Sequence, residues 1–245
     1  MKAFLIAISI LFGLSSNGLA QKAVPDYVDE FLKEHPNPPG TFSDLKEAMR
    51  KPGEVIVLNL ALLKAIPKEI RSFKNLEELY ITQSEISQLP SWLLELKKLK
   101  RLTLDCKLTD FLDFIFDIKS LEYIDLNGNN IQSFTINGIK NNRLKELEIS
   151  FSHMIEIPSC FSNLESLETL RIENNKLTTI SKVIDDMKSL KFLYLYRNKI
   201  YDYDDNIINA KNLKGLFIQD NPISNSKVNE LRVLLPNCNI NHEDF

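Results

Sequence analysis

Cysteine, histidine and excess charge of either sign are scarce in this chain. Three cysteines stand far apart, at 106, 160 and 238, and three histidines at 35, 153 and 242. None has Cys-x-x-Cys or His-x-x-x-His spacing, so the pattern of a zinc site is missing. No Ser or Cys stands in a recognisable nucleophile elbow, which leaves hydrolysis of that type without a carrier. Basic and acidic residues number 30 and 33, a net charge of −3. That balance argues against nucleic acid as partner, because non-specific binding requires a clustered basic excess. After residue 20 no apolar run is long enough to span a bilayer, which takes roughly 20 residues.

The first twenty residues are the exception. One charge, Lys2, precedes an apolar run from Ala3 to Leu14, and the stretch ends Gly18-Leu19-Ala20 with small residues where cleavage requires them. This is the pattern of a secretory signal peptide, so the mature chain is expected to begin at Gln21 and to be secreted or periplasmic. No Cys follows the cleavage point, so no lipoprotein anchor is expected, and no membrane insertion after signal removal. An exported chain with three cysteines has room for one disulfide. Their places in the repeat described next favour three reduced thiols instead.

What the chain has in abundance is leucine at a fixed period. Leu144, Leu167, Leu190 and Leu213 start units 23 residues apart, each reading close to L-x-x-L-x-L-x-x-N-x-L. Gly53, Leu76, Leu99 and Leu121 extend the series upstream, which makes eight units. Positions 4 and 6 fall on one face of a short strand, because strand side chains alternate. A unit this short cannot bury that face alone, so units must stack into a one-dimensional array with a parallel sheet. Position 9 is Asn129, Asn175, Asn198 and Asn221, expected to form a buried ladder that satisfies turn backbone. The third unit is one residue short and has Cys106 at that place. Later in the unit come Ile66-Pro67, Leu89-Pro90 and Ile157-Pro158 at one phase.

The expected organisation is a signal peptide (1–20), an N-terminal helical arm and cap (21–52), eight repeats (53–235) and a C-terminal cap and tail (236–245). In the N-terminal part, Tyr27, Val28, Phe31 and Leu32 have helical spacing. Thr41 opens a second helical pattern, with Thr41 and Asp44 spaced as a capping box. At the other end Val228, Leu231 and Val233 or Leu234 suit a closing helix. There Leu235, Cys238 and Ile240 reproduce positions 1, 4 and 6 of a last half-repeat.

The unit with its following I-P, the lead-in Phe42-Ser43-Asp44-Leu45-Lys46-Glu47-Ala48 and the ending Asn221-Pro222-Ile223 with Leu235-Pro236-Asn237-Cys238-Asn239-Ile240 resemble bacterial secreted leucine-rich repeat proteins. The resemblance spans about residues 53–240. It implies an α/β leucine-rich repeat solenoid, or horseshoe, with a parallel β-sheet on the concave face and short helical or irregular turns on the convex face. It also implies protein binding without catalytic residues, and the residues themselves give no reason to expect a metal or cofactor.

Positions 3, 5 and 7 are expected on the concave face. Its middle is acidic (Asp105, Asp125, Glu146, Glu148, Glu173), and its C-terminal third gathers Phe192, Tyr194, Tyr196 and Phe217 beside Arg171 and Arg197. Surface aromatics also favour strands for packing reasons alone. Four on adjacent strands make a patch, however, and aromatics and Arg are the residue types enriched at binding hot spots. The candidate partner-binding residues are therefore Tyr123, Arg171, Phe192, Tyr194, Tyr196, Arg197 and Phe217, for a protein or peptide ligand. The alternative is a glycan stacked on Tyr194 and Tyr196 beside Glu173. Like charges on a solvated face are commoner than catalytic or cation-holding carboxylates, so the acidic middle is read as neither. N-terminal sequencing of the secreted protein should begin at Gln21, and recovery of Met1 in a cytosolic fraction would refute export.

Overall fold

The computed structural model describes residues 37–109, 113–132 and 141–242, so the signal segment, the arm around residues 26–32 and His35 lie outside the described residues. The chain divides between Thr41 and Phe42 into two units, and the repeats lie in the second, Phe42–Phe245. The strands are β1 (Thr41–Phe42), at the boundary, and β2 (Val57–Ala61), β3 (Glu78–Thr82), β4 (Arg101–Leu104), β5 (Tyr123–Asp125) and β6 (Glu146–Glu148). They continue as β7 (Thr169–Arg171), β8 (Thr179–Ile180), β9 (Phe192–Tyr194), β10 (Asp202–Tyr203), β11 (Gly215–Phe217) and β12 (Asn239–Asn241). Ten of these form one sheet in the order β1 to β7, β9, β11, β12, while β8 and β10 pair separately. From β2 to β12 every neighbouring pair is parallel. This is a leucine-rich repeat solenoid.

The residues at positions 4 and 6 are the core: Leu79 and Ile81, Leu170 and Ile172, Leu193 and Leu195 are fully buried. The buried Ile66, Leu89 and Ile157 lead into single 3-10 turns at Lys68–Ser72, Ser91–Glu95 and Ser159–Asn163 on the opposite side from the sheet. Pro67, Pro90 and Pro158 precede them with extended backbone. Proline suits that place, because its φ is pre-set and its missing N–H falls where a helical turn has no acceptor for it.

The Asn ladder forms. Asn175 Oδ1 accepts the Met154 N–H (3.0 Å), and its Nδ2 donates to Ile149 O (2.8 Å) and Glu173 O (3.0 Å). Asn129, Asn198 and Asn221 bond in the same way, each bridging to the preceding unit. Ser84 substitutes in the second unit, accepting from Leu63 N–H and donating to Thr82 O. Ser152, in the fifth, does not: its hydroxyl is buried without a partner. A further buried amide, Asn141, accepts from Arg143 and Leu144 N–H and donates to Ile118 O and Leu121 O. Cys106 packs as a small apolar group whose thiol is pushed up to about 12 by burial and by Asp105. No disulfide joins the three cysteines.

Both ends depart from the register expected of them. Leu58 pairs across from Leu79 and Leu60 from Ile81, so the first unit starts at the buried Val55 rather than Gly53. Ile240 pairs with Leu216, which makes it position 4 of the closing strand and Cys238 position 2. Each slip is two residues, and a two-residue slip leaves the inward and outward alternation unchanged, so pattern alone does not reveal it.

The cap helix α1 (Leu45–Arg50) also starts later than expected. Asp44 itself is the N-cap, its carboxylate accepting the Glu47 N–H, and Thr41 lies in β1. The capping pair is thus Asp44 with Glu47, the more usual chemistry. Ala48 of α1 is buried in the first end of the core. Helix α2 (Val183–Asp186) follows β8, and α3 (Asn225–Leu234) closes the far end by burying Val228 and Leu231 while Val233 points out.

Asn175→Ala removes an acceptor and two donations inside the core, so unfolding stability should fall by about 1 to 3 kcal/mol. A urea midpoint equal to wild type would refute the structural role of the ladder.

Candidate binding face

Parallel strands in register place equivalent residues of successive units side by side, about 4.8 Å apart. At position 5 this gives a row in which Asp125 is followed by Glu148, Arg171, Tyr194 and Phe217. At position 3, Arg101 stands next to Tyr123, and Phe192 next to Gly215.

Arg171 is the junction of the face. Its Nε lies 3.4 Å from Glu148 and its guanidinium nitrogen 3.5 Å from Glu173, while its guanidinium carbon sits 3.7 Å from the centre of the Tyr194 ring. Burial lowers the pKa of Arg171, but Glu148, Tyr194 and Glu173 outweigh it and hold the group more basic than usual. On its far side Tyr194 stacks on Phe217, with centroids 4.3 Å apart and planes within 2° of parallel. Gly215 explains how Phe192 and Phe217 fit together: a Cβ there would come 2.9 Å from Phe217 and 3.0 Å from Phe192. Only hydrogen at that place lets the two rings close over the backbone.

The candidate residues therefore divide. Arg171, Phe192, Tyr194 and Phe217 form one slab, and Tyr196 adjoins it at position 7 of the same unit. Arg197 leaves the strand with left-handed backbone and pairs with Asp220 at 3.0 Å on the rim. Tyr123 lies three strands from Tyr194, its ring 3.6 Å beneath the Arg101 guanidinium. Sequence reasoning missed Arg101, although it and Tyr123 hold the same position in successive units.

Position 7, expected on the exposed face, is largely covered. Ser150, Glu173 and Gln219 are 3%, 4% and 2% exposed. Ser150 and Glu173 belong to a second polar ladder: Asn127 donates to Glu148 (3.1 Å) and accepts the Ser150 N–H (2.5 Å), and the Ser150 hydroxyl donates to Glu173, while the Gln219 Oε1 is buried without a partner. Burial raises the pKa of Glu173, against the bond from Ser150 and the charge of Arg171. Tyr80, at position 5, is also buried and donates to Glu78 (2.5 Å). The first unit contributes Val57, Asn59 and Ala61 to the face, a consequence of its corrected start.

Asp125 is the unusual acid. Burial, then the neighbouring Glu148 charge, push it up to about 7, although its carboxylate accepts the Asn127 N–H at 2.9 Å. No group of His, Cys, Asp and Glu among the described residues is arranged to hold a metal ion. No helix among them is long and apolar enough to cross a membrane.

Comparison with known proteins agrees with the fold. A Leucine rich repeat family model matches residues 142–200 and a second Leucine Rich Repeat model residues 120–142. Together they cover most of the fourth to seventh units, away from the ends where the register slips. Comparison with curated proteins finds no match. Among solved structures, a leucine-rich repeat protein of Leptospira interrogans shares 29% identity and a TM-score of 0.64, over 81% of this chain and 57% of that one. An internalin of Listeria monocytogenes shares 22% identity and a TM-score of 0.62, over 83% and 60%. The Toll–Spatzle complex of Drosophila matches with 22% identity and a TM-score of 0.63, over 74% of this chain and 26% of that one. The chain thus spans less than two thirds of the length of each of these structures.

Because the folded pKa of Asp125 is raised, the native state keeps a proton that the unfolded chain has lost, and stability falls as pH rises from about 4 to about 7. Asp125→Asn retains the acceptor for Asn127 and removes that loss. Discounted for partial exposure, it should gain about 1 to 2 kcal/mol near pH 8 and almost nothing near pH 4. Urea titrations at both pH values test this, and an equal effect at the two would refute it.

Proposed function

We propose that this chain is a non-enzymatic binding module that seats a protein or peptide on its concave sheet, with Arg171, Phe192, Tyr194 and Phe217 as the anchors. The observation that carries this is the continuous stack of Arg171, Tyr194 and Phe217, with Phe192 packed across Gly215. Side chains already fixed against one another lose little entropy on binding, which is what separates an anchor from mere exposed area. The Toll–Spatzle complex supports the reading at the level of the fold, being a solenoid of this kind bound to a protein. Tyr196 and Arg197 extend the footprint towards the rim, and Tyr123 with Arg101 is a separate, smaller patch. Export is part of the reading and rests on the first twenty residues.

Nucleic acid is disfavoured, because Asp125, Glu146 and Glu148 meet whatever lies along the middle of the sheet. A glycan is disfavoured by the stacking itself. Arg171 covers one face of Tyr194 and Phe217 the other, and Glu173 is buried against Ser150, so the partners expected for a sugar are already engaged.

The test is site-specific photocrosslinking with the full chain in the source's own envelope and extracellular fractions. Phe192→benzoylphenylalanine should crosslink a protein, and the same substitution at Ser91, in a turn on the opposite side, should not. Stronger crosslinking from Thr103 than from Phe192 would move the footprint to the acidic half. Crosslinking from Ser91 alone would refute use of the concave face. This design leaves the Tyr194 and Phe217 stack intact, since cutting both to Ala also removes half-buried packing worth about 0.5 to 1.5 kcal/mol beyond area.

A further inference from the structure

Where each strand ends, residues 8 to 12 of the unit carry the chain off the sheet and form a rim. In the fifth to seventh units this rim comprises residues 151–155, 174–178 and 197–201. Backbone bonds stack its layers: Phe151 N–H to Glu173 O (3.1 Å), Asn174 N–H to Tyr196 O (3.1 Å), Lys176 N–H to Met154 O (2.8 Å) and Lys199 N–H to Leu177 O (2.9 Å). Side chains on it therefore stand at fixed spacing.

Phe151 is out of place by two local criteria. Its φ is +53°, in the left-handed region, where the flanking units have Gly128 and Asn174 and other units Leu62, Gln83 and Arg197. Glycine and asparagine tolerate that region, and phenylalanine is strained there. The residue is also 62% exposed, so it contributes little to the core. The array imposes that backbone, so what points outside the fold is the exposure of a large apolar side chain on it. Ile155 and Tyr201 on the same rim are 61% and 59% exposed.

Charge on this rim is one-sided. The fifteen residues contain Lys176, Arg197 and Lys199 together with His153, and no Asp or Glu. Arg197 pairs with Asp220, while neither lysine makes an ion pair among the described residues. The neighbouring sheet is acidic in its middle, so opposite charges are sorted onto adjacent surfaces. Three large apolar side chains are exposed here, far fewer than the roughly 20 to 30 residues that a stable protein interface takes from each side. They are enough to enter a lipid headgroup layer while lysines meet anionic lipid.

We propose that the rim of the fifth to seventh units docks this protein, reversibly and without spanning, on a bilayer surface rich in anionic lipid. Phe151, Ile155 and Tyr201 enter the headgroup layer, and Lys176 and Lys199 supply the attraction. The site is separate from the concave anchors, so either reading survives failure of the other.

The test is sedimentation of the full chain with phosphatidylcholine vesicles and with vesicles in which one third of the lipid is phosphatidylglycerol. Binding should favour the anionic vesicles by about tenfold or more and weaken as salt is raised. Lys176→Gln with Lys199→Gln should reduce it by about tenfold. Phe151→Gly with Ile155→Ser should reduce it by a similar factor, roughly, while the midpoint of urea unfolding stays equal or rises, because glycine relieves the left-handed strain. Lys64→Gln with Lys68→Gln, two exposed lysines elsewhere, should leave binding unchanged. Absence of binding at low salt overturns the proposal, as does equal loss in the Lys64 and Lys68 variant. Capture of a polyglutamate peptide by the rim without vesicle binding overturns it in favour of an acidic peptide.

Discussion

Everything in this molecule depends on stacking at a fixed period. One unit has an apolar edge and too little chain to cover it, so its neighbours must supply the other wall of the core. Once parallel strands are held in register, every position becomes a row, and each side chain has the same position of the adjacent units as its neighbours. The consequences appear in chemically unrelated rows. Position 9 gives the Asn ladder, whose amides use both donors and the acceptor across unit boundaries. Position 2 gives surface ion pairs, Lys100 with Glu77 at 2.7 Å and Lys191 with Glu168 at 2.7 Å. These are half-exposed and contribute little to stability.

The same rule makes the concave face a sequence of neighbours rather than a set of separate residues. Arg171 sits where the acidic run meets the aromatic run, and it engages both. Its charge is held by Glu148 and Glu173 and its plane by Tyr194, so the aromatic slab and the carboxylates are coupled through one side chain. Gly215 is a small residue with a large effect, because its lack of a Cβ lets Phe192 and Phe217 approach. The result is a face whose chemistry changes from anionic to apolar over adjacent strands.

Turns exact a cost at the exit from each strand. Left-handed backbone recurs at the eighth position in Leu62, Gln83, Gly128, Phe151, Asn174, Arg197 and Asp220, so the geometry is demanded by the array and not by the residue type. Asn, Asp and Gly meet it cheaply, while Leu, Gln, Phe and Arg do not. The third unit avoids it by being one residue shorter, and Cys106 fills the core there.

The repeat, the parallel sheet, the inward faces and the Asn ladder were all legible in the sequence, because each follows from a period that side-chain alternation cannot disguise. The candidate aromatics were legible too, as a row of large residues at equivalent positions. Three matters were decided only by tertiary structure. The terminal registers were hidden because a slip of two preserves alternation. The burial of Ser150, Glu173 and Gln219 was hidden because position 7 shares the parity of the exposed positions, while its depth depends on how the strand turns away from the face. The engagement of Tyr194 on both faces was hidden because composition lists residues without distances, and only the spacing of adjacent strands brings Arg171 and Phe217 to its two sides.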